Sequence, residues 1–186
     1  MSGDSESCDP RDEIVSCLPQ MRAFAISLTR NVPAADDLVQ DTIVKAWTNF
    51  DKFQTGTNLQ AWLFTILRNT FYSSLRKHKR EVSDPEGVHA SQLSVKPDHD
   101  GKLAFTDFRH AFDQLSVEHR EVLILVGASG FTTEEAAEMM GVAPGTVKSR
   151  TSRARKHLAE LLQLGEGESA VIDGVEALLP RGMDAA

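Results

Sequence analysis

The chain is 186 residues and 20.4 kDa, 41% apolar and 25% charged, with 20 Lys plus Arg against 27 Asp plus Glu for a net charge of −7. That is one ordinary domain or two small ones of soluble composition, which excludes overall disorder. No apolar run approaches the ~18 to 20 residues of a bilayer span, and the acidic N-terminus lacks the basic-then-apolar plan of a secretory signal, so the expected place is the cytoplasm with no membrane partner.

From the N-terminus, Ile14, Leu18, Met21, Ala25 and Leu28 recur at steps of three and four and predict a helix, with Pro19 expected to break or kink it. A second helix follows Pro33 with Val39, Ile43, Ala46, Trp47 and Phe50 on its inner side. Opposite them Asp37, Gln40 and Asp41 form an acidic and amide cluster at i, i+3 and i+4. The helix dipole favours acids near an N-terminus, and a basic protein partner would favour them equally, so the pattern leaves both readings open. In the third helix Thr57 and Gln60 have the spacing of a capping box, and Leu59, Trp62, Leu63, Ile66 and Thr70 point inward. Ala61, Thr65, Arg68, Tyr72 and Arg76 share its outer face, with Asn69 beside it and a polar loop, Gln54 to Asn58, before it. An aromatic among cations and amides suits unpaired bases, since stacking contributes ~1 to 3 kcal/mol per base while cations hold phosphates.

Residues 81–102 combine Ser, Pro, Gly and acids with few apolar residues, which is linker composition. Beyond it come Phe105, Phe108, Phe112 and Leu115, then the apolar run Val122 to Val126. Thr132 and Glu135 repeat the capping-box spacing, Gly141 can close the helix they open, and Pro144 suits a first helical residue. Ala137, Gly141 and Val147 then have helix-turn-helix spacing. On the last helix Val147, Thr151, Ala154, Leu158 and Leu161 face inward, and Thr146, Lys148, Ser149, Ser152, Arg153 and Lys156 face out. Long cations among small hydroxyls suit a major groove, where Arg or Lys pairs guanine O6 and N7. Arg150 stands where such motifs often carry an apolar residue, its stem able to lie on the core while its head reaches a phosphate.

The expected fold is therefore all-α, with two small helical domains, 10–80 and 103–163, joined by the acidic linker 81–102 and followed by an acidic tail, 164–186. Cores of that size are thin, and a partner surface would help stabilise each. Two cysteines, Cys8 and Cys17, build no disulfide framework and outline no zinc site, so both are expected as free thiols and no metal or other cofactor is expected. Six scattered histidines, with no HExxH, phosphate-binding glycine loop or nucleophile arrangement, argue against an enzyme with a small-molecule substrate or catalytic residues. An autonomous helix-turn-helix repressor is the alternative, though it leaves the first block unexplained.

Three stretches carry a resemblance. Asp37-Leu38-Val39-Gln40-Asp41, the run from Gly56 to Phe71, and Gly145-Thr146-Val147-Lys148-Ser149-Arg150 with Arg153-Ala154-Arg155 resemble an extracytoplasmic-function (group IV) sigma factor. Leu123 to Phe131 and Glu134-Glu135-Ala136-Ala137 further resemble the general-stress subgroup EcfG. The resemblance implies a promoter-specificity subunit of bacterial RNA polymerase core, with sigma-2-like and sigma-4-like domains. It implies that Asp37, Gln40 and Asp41 dock on polymerase, that Thr57, Asn58, Arg68, Asn69, Tyr72 and Arg76 read and open the −10 element, and that Thr146, Lys148, Ser149, Ser152, Arg153 and Lys156 read the −35 element of promoter DNA. It also implies a linker that threads toward the polymerase active centre, and control by a NepR-type anti-sigma protein that a PhyR-type regulator titrates away.

Overall fold

A computed structural model of the chain describes residues 10–81 and 101–163, with helices, short connections and no strand among them. The first region holds α1 (Pro10–Thr29), α2 (Val32–Thr48), a 3-10 turn (Phe50–Lys52) and α3 (Leu59–Glu81). The second holds α4 (Gly101–Gln114), α5 (Val117–Val122), a π-helical segment (Leu123–Ala128), α6 (Thr133–Met140) and α7 (Pro144–Leu161). Of the expected linker 81–102, Glu81 ends α3 and residues 101 and 102 open α4, while residues 82–100, like the expected tail 164–186 and Cys8, lie outside the described residues.

α1 runs on through Pro19 rather than breaking there. The ring removes the N–H that would pair with the Val15 carbonyl, and both residues lie on the exposed side of the helix, so the lost bond does not leave a polar group sealed in the core. Ile14, Cys17, Met21, Phe24, Ala25 and Leu28 fill its buried face. α2 starts on an Asn31 cap whose side chain accepts from the Ala34 N–H at 2.9 Å. Its most buried residues are Ala35, Leu38, Thr42 and Ala46; of the expected inner set Ala46 is buried, Val39, Ile43 and Phe50 pack half-buried against the core, and Trp47 is exposed. Thr42 can be fully buried because its hydroxyl donates to the Leu38 carbonyl at 2.7 Å.

The cap of α3 is also shifted. Asn58, not Thr57, accepts from the Ala61 N–H at 3.1 Å. Thr57 closes the preceding loop by donating to the Gln54 carbonyl at 2.7 Å, and Gln60 reaches across to Gln20 on α1. α3 buries Leu59, Leu63, Phe64, Leu67, Thr70 and Phe71, a wider face than one neighbouring helix pair requires.

The second region follows its punctuation closely. Thr132 and Glu135 form both halves of the capping box, Gly141 ends α6 in the left-handed conformation at φ 65°, and Pro144 opens α7. Between α5 and α6 the backbone widens, with the Ser129 N–H donating to Ile124 O five residues back at 2.8 Å. The chain then delivers Phe131 into the first region. Phe24 stacks on Phe64 with centroids 5.0 Å apart, and Phe131 meets Phe64 edge-on at 5.1 Å. The two regions pack on one another through α1 with α5 and α3 with α6, so each supplies the covering surface that the other's thin core lacks.

Candidate polymerase and nucleic-acid interfaces

Turning Leu38, Thr42 and Ala46 inward leaves one continuous outer face on α2. Asp37, Gln40 and Asp41 are all exposed on it, and the same face continues into Val44, 65% exposed, and Trp47, 52% exposed. Asp36, one step away, is tied to Arg22 of α1 at 2.6 Å, and that guanidinium holds its carboxyl below the usual range. Asp37 and Asp41 also edge an open groove of about 460 Å³ walled by Leu38, Phe71 and Leu75. An acidic patch beside exposed apolar side chains offers a protein partner both charge and contact area.

Of the six residues expected at the −10 element, Thr57 and Asn58 precede α3 and the other four separate around it, because one residue along a helix turns the side chain by about 100°. Asn69 is exposed and lines a second groove, about 440 Å³, together with Lys45, Asn49, Lys52 and Trp62. Trp62 is half-buried in an aromatic trio with Phe50 and Phe53, its centroid 6.0 and 5.3 Å from theirs. Lys45 donates to Thr70 at 3.1 Å and Lys52 to Asn49 at 2.6 Å, which fixes two cations at the groove. None of Lys45, Asn49 and Lys52 was singled out from sequence; their spacing along α2 and the 3-10 turn gives no sign that α3 closes a groove with them. Thr57 and Arg76 are exposed.

Arg68 and Tyr72 face the other way, into the junction between regions. Arg68 Nε donates to Glu121 Oε1, and Tyr72 OH donates to Glu121 Oε2 at 2.8 Å. The Arg68 guanidinium carbon lies 4.7 Å from the centroid of the Tyr72 ring. Burial first, then the Glu121 charge and hydrogen bond, push the Tyr72 phenol well above its ordinary pKa of 10, so it stays a donor. Glu121 itself is fully buried. Beside it the buried Arg120 donates to the Ser27 carbonyl of α1 at 2.6 Å and to the Leu115 carbonyl. Arg30 donates to Asp113 O at 2.7 Å, and Asn58, already the cap of α3, donates to Glu135 at 3.1 Å. Sequence reasoning passed over Arg120 and Glu121. The one signal available was two charges set directly against the apolar run that begins at Val122.

On α7 Val147, Ala154 and Leu158 are buried, with Thr151 and Leu161 half-buried. Lys148, Ser149, Ser152, Arg153 and Lys156 are exposed and Thr146 is half-buried, so the expected −35 set shares one outer face. Arg150 is half-buried, as an aliphatic stem on the core requires. No acid interrupts the helix before Glu160 in its last turn. Among the described residues no three His, Cys, Asp or Glu side chains converge as a metal site would, and no helix is long and apolar enough to cross a membrane.

The chain's sequence matches known families over both regions. Residues 14–81 match Sigma-70 region 2, and residues 105–158 match Sigma-70, region 4. The chain is 52% identical to the ECF RNA polymerase sigma factor EcfG of Rhodopseudomonas palustris (strain TIE-1), over 85% of this chain and 87% of that one. The chain belongs to the ECF sigma factors. The RNA polymerase sigma factor CarQ of Myxococcus xanthus is 30% identical over 77% of this chain and 83% of its own. Among solved structures, the sigma factor RpoE in its co-crystal with the anti-sigma factor NepR from Bartonella quintana superposes with a TM-score of 0.77 at 51% identity, over 85% of this chain and 99% of that chain. In this sigma factor, region 2 is thus α1 to α3, with the acidic face and the Asn69 groove, and region 4 contains the α6–α7 helix-turn-helix. A sigma factor binds core RNA polymerase and directs it to promoters, and the exposed basic face of α7 lies within region 4.

Proposed function

We propose that the three surfaces divide the work of promoter-directed initiation. The outer face of α2, with Asp37, Gln40 and Asp41 as its polar anchors and Val44 and Trp47 adding apolar area, docks on core polymerase. Thr57, Asn58, Arg68, Asn69, Tyr72 and Arg76 engage the −10 element as single strand. Thr146, Lys148, Ser149, Ser152, Arg153 and Lys156 engage the −35 element as duplex. The observation that carries this reading is the continuity of charge and exposed apolar surface on α2. Helix capping alone would account for Asp37 but gives no reason for Gln40 or for a 65% exposed Val44 three residues beyond Asp41.

The closeness to EcfG and to an RpoE co-crystallised with NepR supports an anti-sigma partner of the NepR type and a role in general-stress transcription. An isolated repressor would need only region 4 and is not favoured.

Run-off transcription with core polymerase over a promoter library tests the whole assignment. Replacing Asp37 and Asp41 together with Ala should lower affinity for core polymerase by about ten- to a hundredfold, as expected for removing two charged contacts, while far-UV circular dichroism stays unchanged. Undiminished affinity in the doubly substituted protein would remove the α2 face from the docking site.

A further inference from the structure

The α2 and α7 surfaces stand open, whereas Arg68 and Tyr72 are half-buried with their polar ends engaged by a single side chain of the other region. We propose that Glu121 is a latch: its carboxylate occupies the place at Arg68 and Tyr72 that a phosphate of the unpaired strand would take, so the free chain holds its own −10 surface shut. The inference rests on the reading of Arg68 and Tyr72 as −10 contacts.

The geometry argues for competition with DNA in particular. Glu121 is fully buried, and Arg68 and Tyr72, which donate hydrogen bonds to its two carboxylate oxygens, both come from region 2. It presents one oxygen to a guanidinium and the other to a hydroxyl, much as an anionic phosphate presents two oxygens. The guanidinium that it draws in also lies 4.7 Å from the centroid of the Tyr72 ring, where a stacking base would need room. A strand cannot use these two side chains until Glu121 leaves.

The energetics suit a latch. Moving Arg68 and Glu121 out of water opposes much of their attraction, so a buried pair of this kind contributes little net stability. On opening, both groups regain water and neither is left buried and unpaired. The contact therefore specifies the closed arrangement while remaining breakable by a ligand that binds only the open one. Arg120 on Ser27 and Phe131 on Phe64 give the closed state its register.

The test uses the full chain and Glu121→Gln, which keeps the side chain's size and removes its charge. Small-angle scattering reads opening as a larger radius of gyration. Tyr72 is the chain's only tyrosine, so isotope-labelled tyrosine gives one NMR resonance that reports its surroundings. Fluorescence anisotropy with fluorescein-labelled single-stranded DNA of randomised sequence reads access to the site. E121Q should expand the particle, shift the tyrosine resonance and bind the DNA about tenfold more tightly, the scale of one lost charged hydrogen bond. A folded E121Q with unchanged scattering and an unmoved tyrosine signal overturns the latch. A particle that opens without gaining DNA affinity overturns the masking. Arg68→Ala in reconstituted holoenzyme then separates the two ideas, because normal run-off transcription there would sink the −10 reading itself. If E121Q does not fold, Tyr72→Phe removes only the hydroxyl donor and should move scattering in the same direction; no expansion overturns the latch equally.

Discussion

Thr132 and Glu135 show how much one pair of side chains can settle. The Glu135 N–H donates to Thr132 Oγ1 at 3.1 Å, and the Glu135 carboxylate accepts from the Thr132 N–H at 2.9 Å, so two backbone donors at the start of α6 are paired reciprocally. The backbone bond from Thr132 and the side-chain bond from Asn58 hold the Glu135 carboxyl below its ordinary range. Thr132→Ala should cost about 1 kcal/mol of unfolding free energy, read as a lower urea midpoint with an unchanged slope. Such residues were legible in the sequence because both partners lie within one turn. Glu121 was not, since Arg68 and Tyr72 are 53 and 49 positions away. A charged residue beside an apolar run looks like the solvated edge of a helix until the helix that covers it is known.

At the scale of elements the same distinction recurs. The helix-turn-helix was readable residue by residue because its cap, its left-handed Gly141 and its leading Pro144 are local. On α2 the expected Ala46 is buried and Val39 and Ile43 pack half-buried on the core, but the most buried positions include Thr42, a polar residue satisfied by its own helix, and Trp47 is exposed. On α3, Phe64 is buried partly by Phe131 of the other region, so no analysis of region 2 alone accounts for its face. The packing of α5 on α7 adds a pH dependence. His119 has a buried Nδ1 with no hydrogen-bond partner, and its ring lies 6.2 Å from that of His157. Burial first, then the charges of His157, Arg150 and Arg153, lower its pKa below the ordinary 6.5, with only Glu118 opposing. The unfolded chain therefore takes up this proton more readily than the folded one. Its contribution to stability is complete above pH 6.5 and is lost as pH falls through the lower folded value. Urea midpoints should drop between pH 7.5 and pH 5.5 (~2 units of acidification across the window), and His119→Gln should reduce that drop. An equal drop in H119Q would place the sensitivity elsewhere.

For the molecule as a whole, charge and packing point the same way. At net −7 the free chain repels the phosphate backbone at long range, and the basic stretch around α7 supplies only five cations, Lys148, Arg150, Arg153, Arg155 and Lys156. Region 2, meanwhile, is covered by region 4 through Arg120, Glu121 and Phe131, so this arrangement leaves the basic face of α7 exposed while Arg68 and Tyr72 are engaged by Glu121. Polymerase changes both terms. Docking through the proposed α2 face would tether the sigma factor near the promoter, and once one DNA element is bound the second contact becomes effectively intramolecular, which raises affinity without new contacts. Footprinting should therefore show protection of both promoter elements by the reconstituted holoenzyme and none by the isolated chain at the same concentration and salt. Lowering salt should let the isolated chain bind duplex weakly and without sequence preference, since about five phosphate contacts give a slope of log affinity on log salt near −4 to −5. A sequence-specific footprint by the chain alone, spanning both elements at physiological salt, would mean that the two regions separate without polymerase and that tethering is not what makes promoter recognition possible.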